Sequence, residues 1–122
     1  MTTLPDDTLR KILLQIQQTA VTSQRAFNFA QQQMGAKQRE RRIVQLTIDE
    51  LSQLDGDTKM YKGVGKMFLM TPRQEMESEL KTQEKELGDD ITNLTKKSKF
   101  LEKQFNEAQG QLRDIFNSAP KQ

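Results

Sequence analysis

Few side chains in this sequence could do covalent chemistry. It contains no Cys and no His, which excludes thiolate nucleophiles, imidazole bases, disulfides and nearly all zinc sites. Asp6-Asp7 and Asp89-Asp90 are paired carboxylates, the residue type that general acid–base work needs. Such work also needs a cavity that desolvates the pair and shifts its pKa, and the sequence offers none. Gly63-Val64-Gly65-Lys66 sets a lysine behind two glycines but lacks the spacing of a phosphate-binding loop, so no ATP site is expected. Lys37-Gln38-Arg39-Glu40-Arg41-Arg42 concentrates positive charge without interleaved aromatics for base stacking. It reads as a solvated helix face, and nucleic acid is not expected as a partner. No catalytic constellation assembles from these residues. The expectation is a protein that is not an enzyme, with no cofactor and no metal.

The elements that remain are long and thinly apolar. The 122 residues are enough for one domain. Hydrophobic residues make up 34% and charged residues 30%, too few apolar side chains for a large central core. Disorder would call for a high net charge, yet Lys+Arg 19 against Asp+Glu 17 leaves +2. Balanced charge with few apolar residues fits long, solvated helices that bury one narrow stripe. No run of 18 apolar residues occurs, so no membrane span is expected. Residues 1–7 lack the basic and apolar regions of a signal peptide, which makes a cytoplasmic location the expectation.

Three prolines, Pro5, Pro72 and Pro120, leave two proline-free stretches long enough for extended helices. The first opens on Pro5-Asp6-Asp7, suited to a helix N-terminus. Its apolar and small residues follow Leu9, Ile12, Ile16, Thr19, Ser23, Ala26, Ala30, with one extra four-residue step to Met34. Phe27 and Phe29 cannot share one stripe. Gln31 to Arg42 is so polar that any coiled-coil seam there must carry polar residues. Thr47 and Glu50 have capping-box spacing and suggest a break and restart. In the second stretch Thr71-Pro72-Arg73-Gln74 gives a cap, a first-turn proline and a capping-box glutamine. The seam then runs Met76, Leu80, Gln83, Leu87, Ile91, Leu94, Ser98, Leu101, Phe105, Ala108, Leu112, Ile115, with a stutter near Leu87. Glu77 and Lys81 are spaced for a surface ion pair. Each long helix would span roughly 60–70 Å.

Between the stretches, Met60 to Met70 is rich in aromatic and aliphatic residues and broken by Gly63 and Gly65. It reads as strands at about Met60–Val64 and Met67–Met70 with the turn near Gly65. The fold class is therefore mainly α: a long antiparallel coiled-coil helical hairpin with one β-hairpin between the helices. A lone two-stranded hairpin is marginal in water, and an apolar one has two hazardous open edges. Two readings are open. Other chains cover the hairpin by pairing edge to edge, so that the active form is an oligomer; or the hairpin merely caps the coiled coil of a monomer or simple dimer.

The order of long helix, Thr47-Ile48-Asp49-Glu50-Leu51 piece, Tyr61-Lys62-Gly63-Val64-Gly65 followed by Met67-Phe68, and second long helix resembles the β-class subunits of the prefoldin family, most closely their eukaryotic subunit 1 branch. The resemblance covers about residues 7 to 117, and its specific part is Thr47–Met70. It implies one prefoldin-like domain over 1–122: first long helix about 7–46, short helix 47–54, β-hairpin 59–70, second long helix 72–117. It also implies membership in a hetero-hexamer with two α-class and three further β-class subunits. That complex is an ATP-independent chaperone of the cytoplasm. It holds non-native actin and tubulin and delivers them to the cytosolic chaperonin. Subunit assembly would fall to Tyr61, Val64, Gly65, Met67, Phe68 and Leu69, whose strands would build a shared barrel. Client binding would fall to the arm tips: Leu9, Ile12, Leu13, Leu14, Leu112, Ile115 and Phe116. Ile12-Leu13-Leu14, and Ile115 with Phe116, exceed what one two-helix seam can bury, and exposed apolar surface marks binding sites. The other reading of these tips is that they only lock the helix ends together. A structural coiled-coil tether or scaffold is the alternative function; it accounts for the helices and not for the apolar hairpin.

Overall fold

The computed structural model describes residues 6–118. Pro5 and Pro120 lie outside the described residues. The elements follow in chain order: α1 (Asp6–Ser52), β1 (Met60–Val64), β2 (Met67–Thr71) and α2 (Arg73–Ser118). Two long helices and a small antiparallel hairpin between them make a mainly α fold.

In α1 one stripe of sheltered positions runs through Leu9, Leu13, Ile16, Ala20, Ser23, Phe27, Ala30, Met34, Lys37, Arg41, Val44, Ile48 and Leu51, with Ile12, Ala26, Gly35 and Gln45 half-buried beside it. Steps of four and three alternate without a fault, which is the heptad repeat of a left-handed coiled coil. In α2 the same alternation runs through Leu80, Glu84, Leu87, Ile91, Leu94, Ser98, Leu101, Phe105, Ala108, Leu112 and Ile115. This corrects the expected seam in both helices. Thr19 and Gln83 are exposed, and Ala20 and Glu84 take their places. The expected extra step before Met34 and the stutter near Leu87 both disappear. The extra steps came from taking Ala26 where the alternating stripe has Phe27 in α1, and Gln83 where it has Glu84 in α2.

The chain divides into two compact units. One comprises residues 6–33 with 94–118, the other residues 34–93. In the first, small residues occupy the buried seam: Ala20, Ser23, Ala30, Ser98 and Ala108. Small side chains allow helix backbones to approach closely, at the cost of little apolar area. The Ser98 hydroxyl is buried there without a hydrogen-bond partner. Phe27 and Phe105, with Gln24, Asn28, Glu102 and Asn106, line an open cavity of about 220 Å³. Phe29 is exposed, so the two nearby phenylalanines do part company.

In the second unit Lys37 meets Asp90 at 3.6 Å and Arg41 meets Glu84 at 2.8 Å. Numbering rises on one helix as it falls on the other, so the arms are antiparallel. The polar middle of α1 is thus paired across the seam. Arg41 Nε and Gln45 Nε2 both donate to Glu84 Oε1, at 2.8 and 3.0 Å. The Gln45 bond first, then Arg41, holds the Glu84 carboxyl below its ordinary range. Gly88 makes room for this group: a Cβ there would lie 2.9 Å from Arg41 Nη2. Val44, Met60 and Leu87 are the buried apolar residues of this unit.

The ends of the helices differ from the expected caps. α1 does not break at Thr47; it continues to Ser52, and the Thr47 hydroxyl donates to the Ile43 carbonyl at 2.8 Å. A hydroxyl inside a helix can satisfy itself on the preceding turn, so capping-box spacing alone does not start a new helix. The last turn closes with Gln53 N to Glu50 O and Leu54 N to Leu51 O, at 3.2 and 3.3 Å. The Arg73 guanidinium then donates to three carbonyls, those of Leu51 (2.6 Å), Leu54 (3.0 Å) and Asp55 (3.0 Å). α1 carries no basic residue in its own last turn, so α2 supplies the charge that its C-terminal carbonyls favour. Thr71 ends β2 and does not cap α2: its hydroxyl donates to Leu69 O, while Pro72 O accepts the first helical bond from Met76 N at 3.0 Å. Glu77 takes Arg73 at 3.1 Å and not the expected Lys81.

Candidate functional site

The hairpin is built by local sequence. Val64 pairs with Met67 across a two-residue loop, and Gly65 in that loop has φ 61°. No non-glycine residue has positive φ among those described, so Lys66 does not, and the loop follows the type II′ pattern with glycine first. The register continues through Gly63↔Phe68, Lys62↔Leu69, Tyr61↔Met70 and Met60↔Thr71.

Partners across a ladder share a face, and faces alternate along each strand. One face therefore carries Met60, Lys62, Val64, Met67, Leu69 and Thr71. Met60 is buried, and Lys62 Nζ reaches Glu79 Oε2 of α2 at 2.7 Å. This face is tied to α2 at its Met60 end. The Glu79 hydrogen bond and charge, with Glu75 adding to them, raise the Lys62 pKa. The other face carries Tyr61, Gly63, Phe68 and Met70. Phe68 is 76% exposed, Met70 65% and Tyr61 57%. The Phe68 ring lies against Gly63, where an added Cβ would meet Cε1 at 3.8 Å. The sheet has two strands, so an outer edge of each is unpaired among the described residues.

The residues expected to serve assembly are thus gathered on one small sheet but divided between its faces. Tyr61 and Phe68 share the open face; Val64, Met67 and Leu69 share the other and are exposed as well. Met70, not among the residues expected there, shares the open face through its pairing with Tyr61. The residues expected to serve client binding lie in the unit formed by 6–33 and 94–118. Leu9, Ile12, Leu13, Leu112 and Ile115 are half-buried, whereas Leu14 is 64% and Phe116 63% exposed. Phe29 and Phe100 add exposed aromatic surface to that unit. Both sit off the heptad seam, where periodicity gives no signal for them. Among the described residues no group of three His, Cys, Asp or Glu could hold a metal ion. No described helix is long and apolar enough to cross a membrane.

Comparison with known proteins adds a family to this geometry. A family model described as Prefoldin subunit matches residues 11–119. The probable prefoldin subunit 1 of Dictyostelium discoideum is 32% identical over 94 residues, covering 77% of this chain and 82% of that protein. Prefoldin subunit 1 of Arabidopsis thaliana is 27% identical over 117 residues, covering 96% of this chain and 91% of that protein. Among solved structures, the prefoldin beta subunit from Thermococcus strain KS-1 is similar with a TM-score of 0.79 at 21% identity, over 99% of this chain and 100% of that one. At that identity the likeness is one of fold.

Proposed function

The chain belongs to the prefoldin family, and from that premise we propose that it is a β-class subunit of the subunit 1 type in a hetero-hexameric, ATP-independent chaperone. Its neighbours are two α-class and three further β-class subunits. Residues 1–122 act as one family domain in this reading. The complex works in the cytoplasm, holds non-native actin and tubulin, and delivers them to the cytosolic chaperonin.

One observation carries the reading: an apolar hairpin whose face of Tyr61, Phe68 and Met70 is covered by no described residue of this chain. Phe68, Met70 and Tyr61 face solvent on one side, and among the described residues both outer strand edges are open. Left alone, such a sheet would be an aggregation hazard. Edge-to-edge pairing with hairpins of other subunits satisfies its backbone groups and buries its side chains at once. Tyr61, Val64, Met67, Phe68 and Leu69 would fill the shared sheet, and Gly65 would keep the turn tight. Each Å² of apolar surface buried contributes roughly 25 cal/mol.

Clients are held at the other working surface. Leu14 and Phe116 are exposed beside the half-buried Leu9, Ile12, Leu13, Leu112 and Ile115. Non-native chains expose similar side chains, so contact needs no sequence specificity. Several arms engaging one client raise weak contacts to useful avidity.

Native mass spectrometry of the tagged chain from its own cytosol tests assembly. A hexamer with one copy of this chain and five related small subunits is expected. A homodimer or free monomer would overturn the proposal and favour a structural tether. Within the hexamer, replacing Leu13, Leu14, Ile115 and Phe116 by Ala should weaken suppression of client aggregation while sparing assembly. Unchanged suppression would remove the tips from the mechanism.

A further inference from the structure

Some basic residues of the described chain are paired with carboxylates, and others, Arg39, Arg42, Lys59, Lys66, Lys81 and Lys85 among them, are in none of its ion pairs. Around the hairpin and mid-arm, Lys37, Arg41, Lys62 and Arg73 each have a carboxylate partner. In the other unit, α2 presents Lys96, Lys97, Lys99 and Lys103 within one short exposed stretch, and none of them takes part in an ion pair of the described residues. Nor could the neighbouring helix neutralise them, because α1 has no acidic residue between Asp7 and Glu40. Glu102 and Glu107 are the nearest acidic residues along α2, and neither pairs with a lysine.

Phe100 stands in the middle of this stretch and is 60% exposed. Residues three and four apart are neighbours on a helix surface. The neighbours of Phe100 are therefore Lys96 and Lys97 on one side and Lys103 on the other. An exposed ring framed by three ammonium groups, none of them in an ion pair, offers apolar surface and positive charge side by side. It is suited to a partner that brings negative charge and an apolar side chain together.

We propose that the Lys96–Lys103 face of α2, centred on Phe100, is a docking surface for an acidic protein segment carrying an aromatic or aliphatic side chain. Charge complementarity selects the acidic residues, and Phe100 supplies the apolar contact. A protein segment suits the patch better than nucleic acid. Lys96 and Lys103 lie about 10 Å apart along the helix, too short to track a phosphate backbone. The patch also offers one aromatic face, whereas strand binding stacks successive bases on several.

The test is fluorescence polarisation on the full chain in its purified assembly. The probe is a short labelled peptide of Glu and Asp interspersed with Leu and Phe. Controls are the same peptide with Gln and Asn for its acids, an all-acidic peptide, and single-stranded DNA of equal length. The mixed peptide should bind best, and Lys96→Gln/Lys97→Gln/Lys103→Gln should weaken it about tenfold, the sum expected of three exposed charge contacts. Phe100→Ala should weaken the mixed peptide and leave the all-acidic one unchanged. Helical content by circular dichroism checks that the variants fold. Equal binding by the triple lysine variant, no binding of the mixed peptide, or tighter binding of the DNA would each overturn the proposal.

Discussion

Gly88 and Arg41 compete for the same space. A Cβ on Gly88 would stand 2.9 Å from Arg41 Nη2 and 3.0 Å from Cζ, while the Arg41 guanidinium is held by Glu84. In an exposed helix interior, Gly→Ala gains about 1 kcal/mol of helix propensity. Here that gain is opposed by displacement of Arg41, so Gly88→Ala should leave the melting temperature nearly unchanged. In an Arg41→Ala background the same substitution should stabilise by about 1 kcal/mol. Additive effects in a double-mutant cycle would show that the two residues do not interact. Ser98 poses a simpler case. Its hydroxyl is buried with no partner, and an unpaired buried polar group costs about 1–3 kcal/mol. Ser98→Ala should raise the midpoint of thermal unfolding, and a fall would mean that the hydroxyl has a use. Neither residue announces its role in the sequence. Gly88 looks like a weak point in a helix, and Ser98 like an ordinary small seam residue, until the facing side chains are known.

At the scale of elements, Arg73 joins the end of one helix to the start of the other. It donates to Leu51 O, Leu54 O and Asp55 O and to Glu77. Arg73→Ala should cost about 2 kcal/mol, the order expected for charged hydrogen bonds, and Lys should restore only part because it lacks the planar fork. Chemical unfolding of the three proteins measures this. The mid-arm seam adds a pH dependence. Gln45 and Arg41 hold the Glu84 carboxyl below its ordinary range. Its contribution to stability is therefore complete above the unfolded glutamate value, about 4.3, and is lost as pH falls below that through the lower folded value. Thermal unfolding against pH should fall less steeply in Glu84→Gln across that acid range. If both proteins lose stability in parallel, the seam carboxylate is not the group that titrates. Helix and strand placement was largely legible, because breakers and alternation act over a few residues. The caps were not: Thr47 and Thr71 each had cap spacing, and each hydroxyl instead found a nearby carbonyl.

At the scale of the whole molecule, the central expectation concerns assembly. Tyr61→Ser with Phe68→Ser should leave the helices formed and remove the chain from its complex. Co-purification of partner subunits, with far-ultraviolet circular dichroism as the check on folding, reads both. Full recovery of partners would mean that the open face of the hairpin is not part of the interface. The tips are expected to behave in the opposite way, sparing assembly and weakening client holding.

The sequence by itself determined the two proline-free helices, the hairpin at about Met60 to Met70 and the turn at Gly65. Each rests on a local preference that needs no partner: a glycine with positive φ, strand alternation, and a helical repeat. It also determined that apolar residues would outnumber the places available to bury them in the hairpin. The tertiary structure decided which residues enter the seam. Ala20 and Glu84 do so where Thr19 and Gln83 were expected, because burial is a property of two helices in register and not of either one. It decided, too, that Arg73 would close α1 and that Gly88 would admit Arg41. Those contacts join residues distant in the chain, and their energies exist only once both sides are brought together.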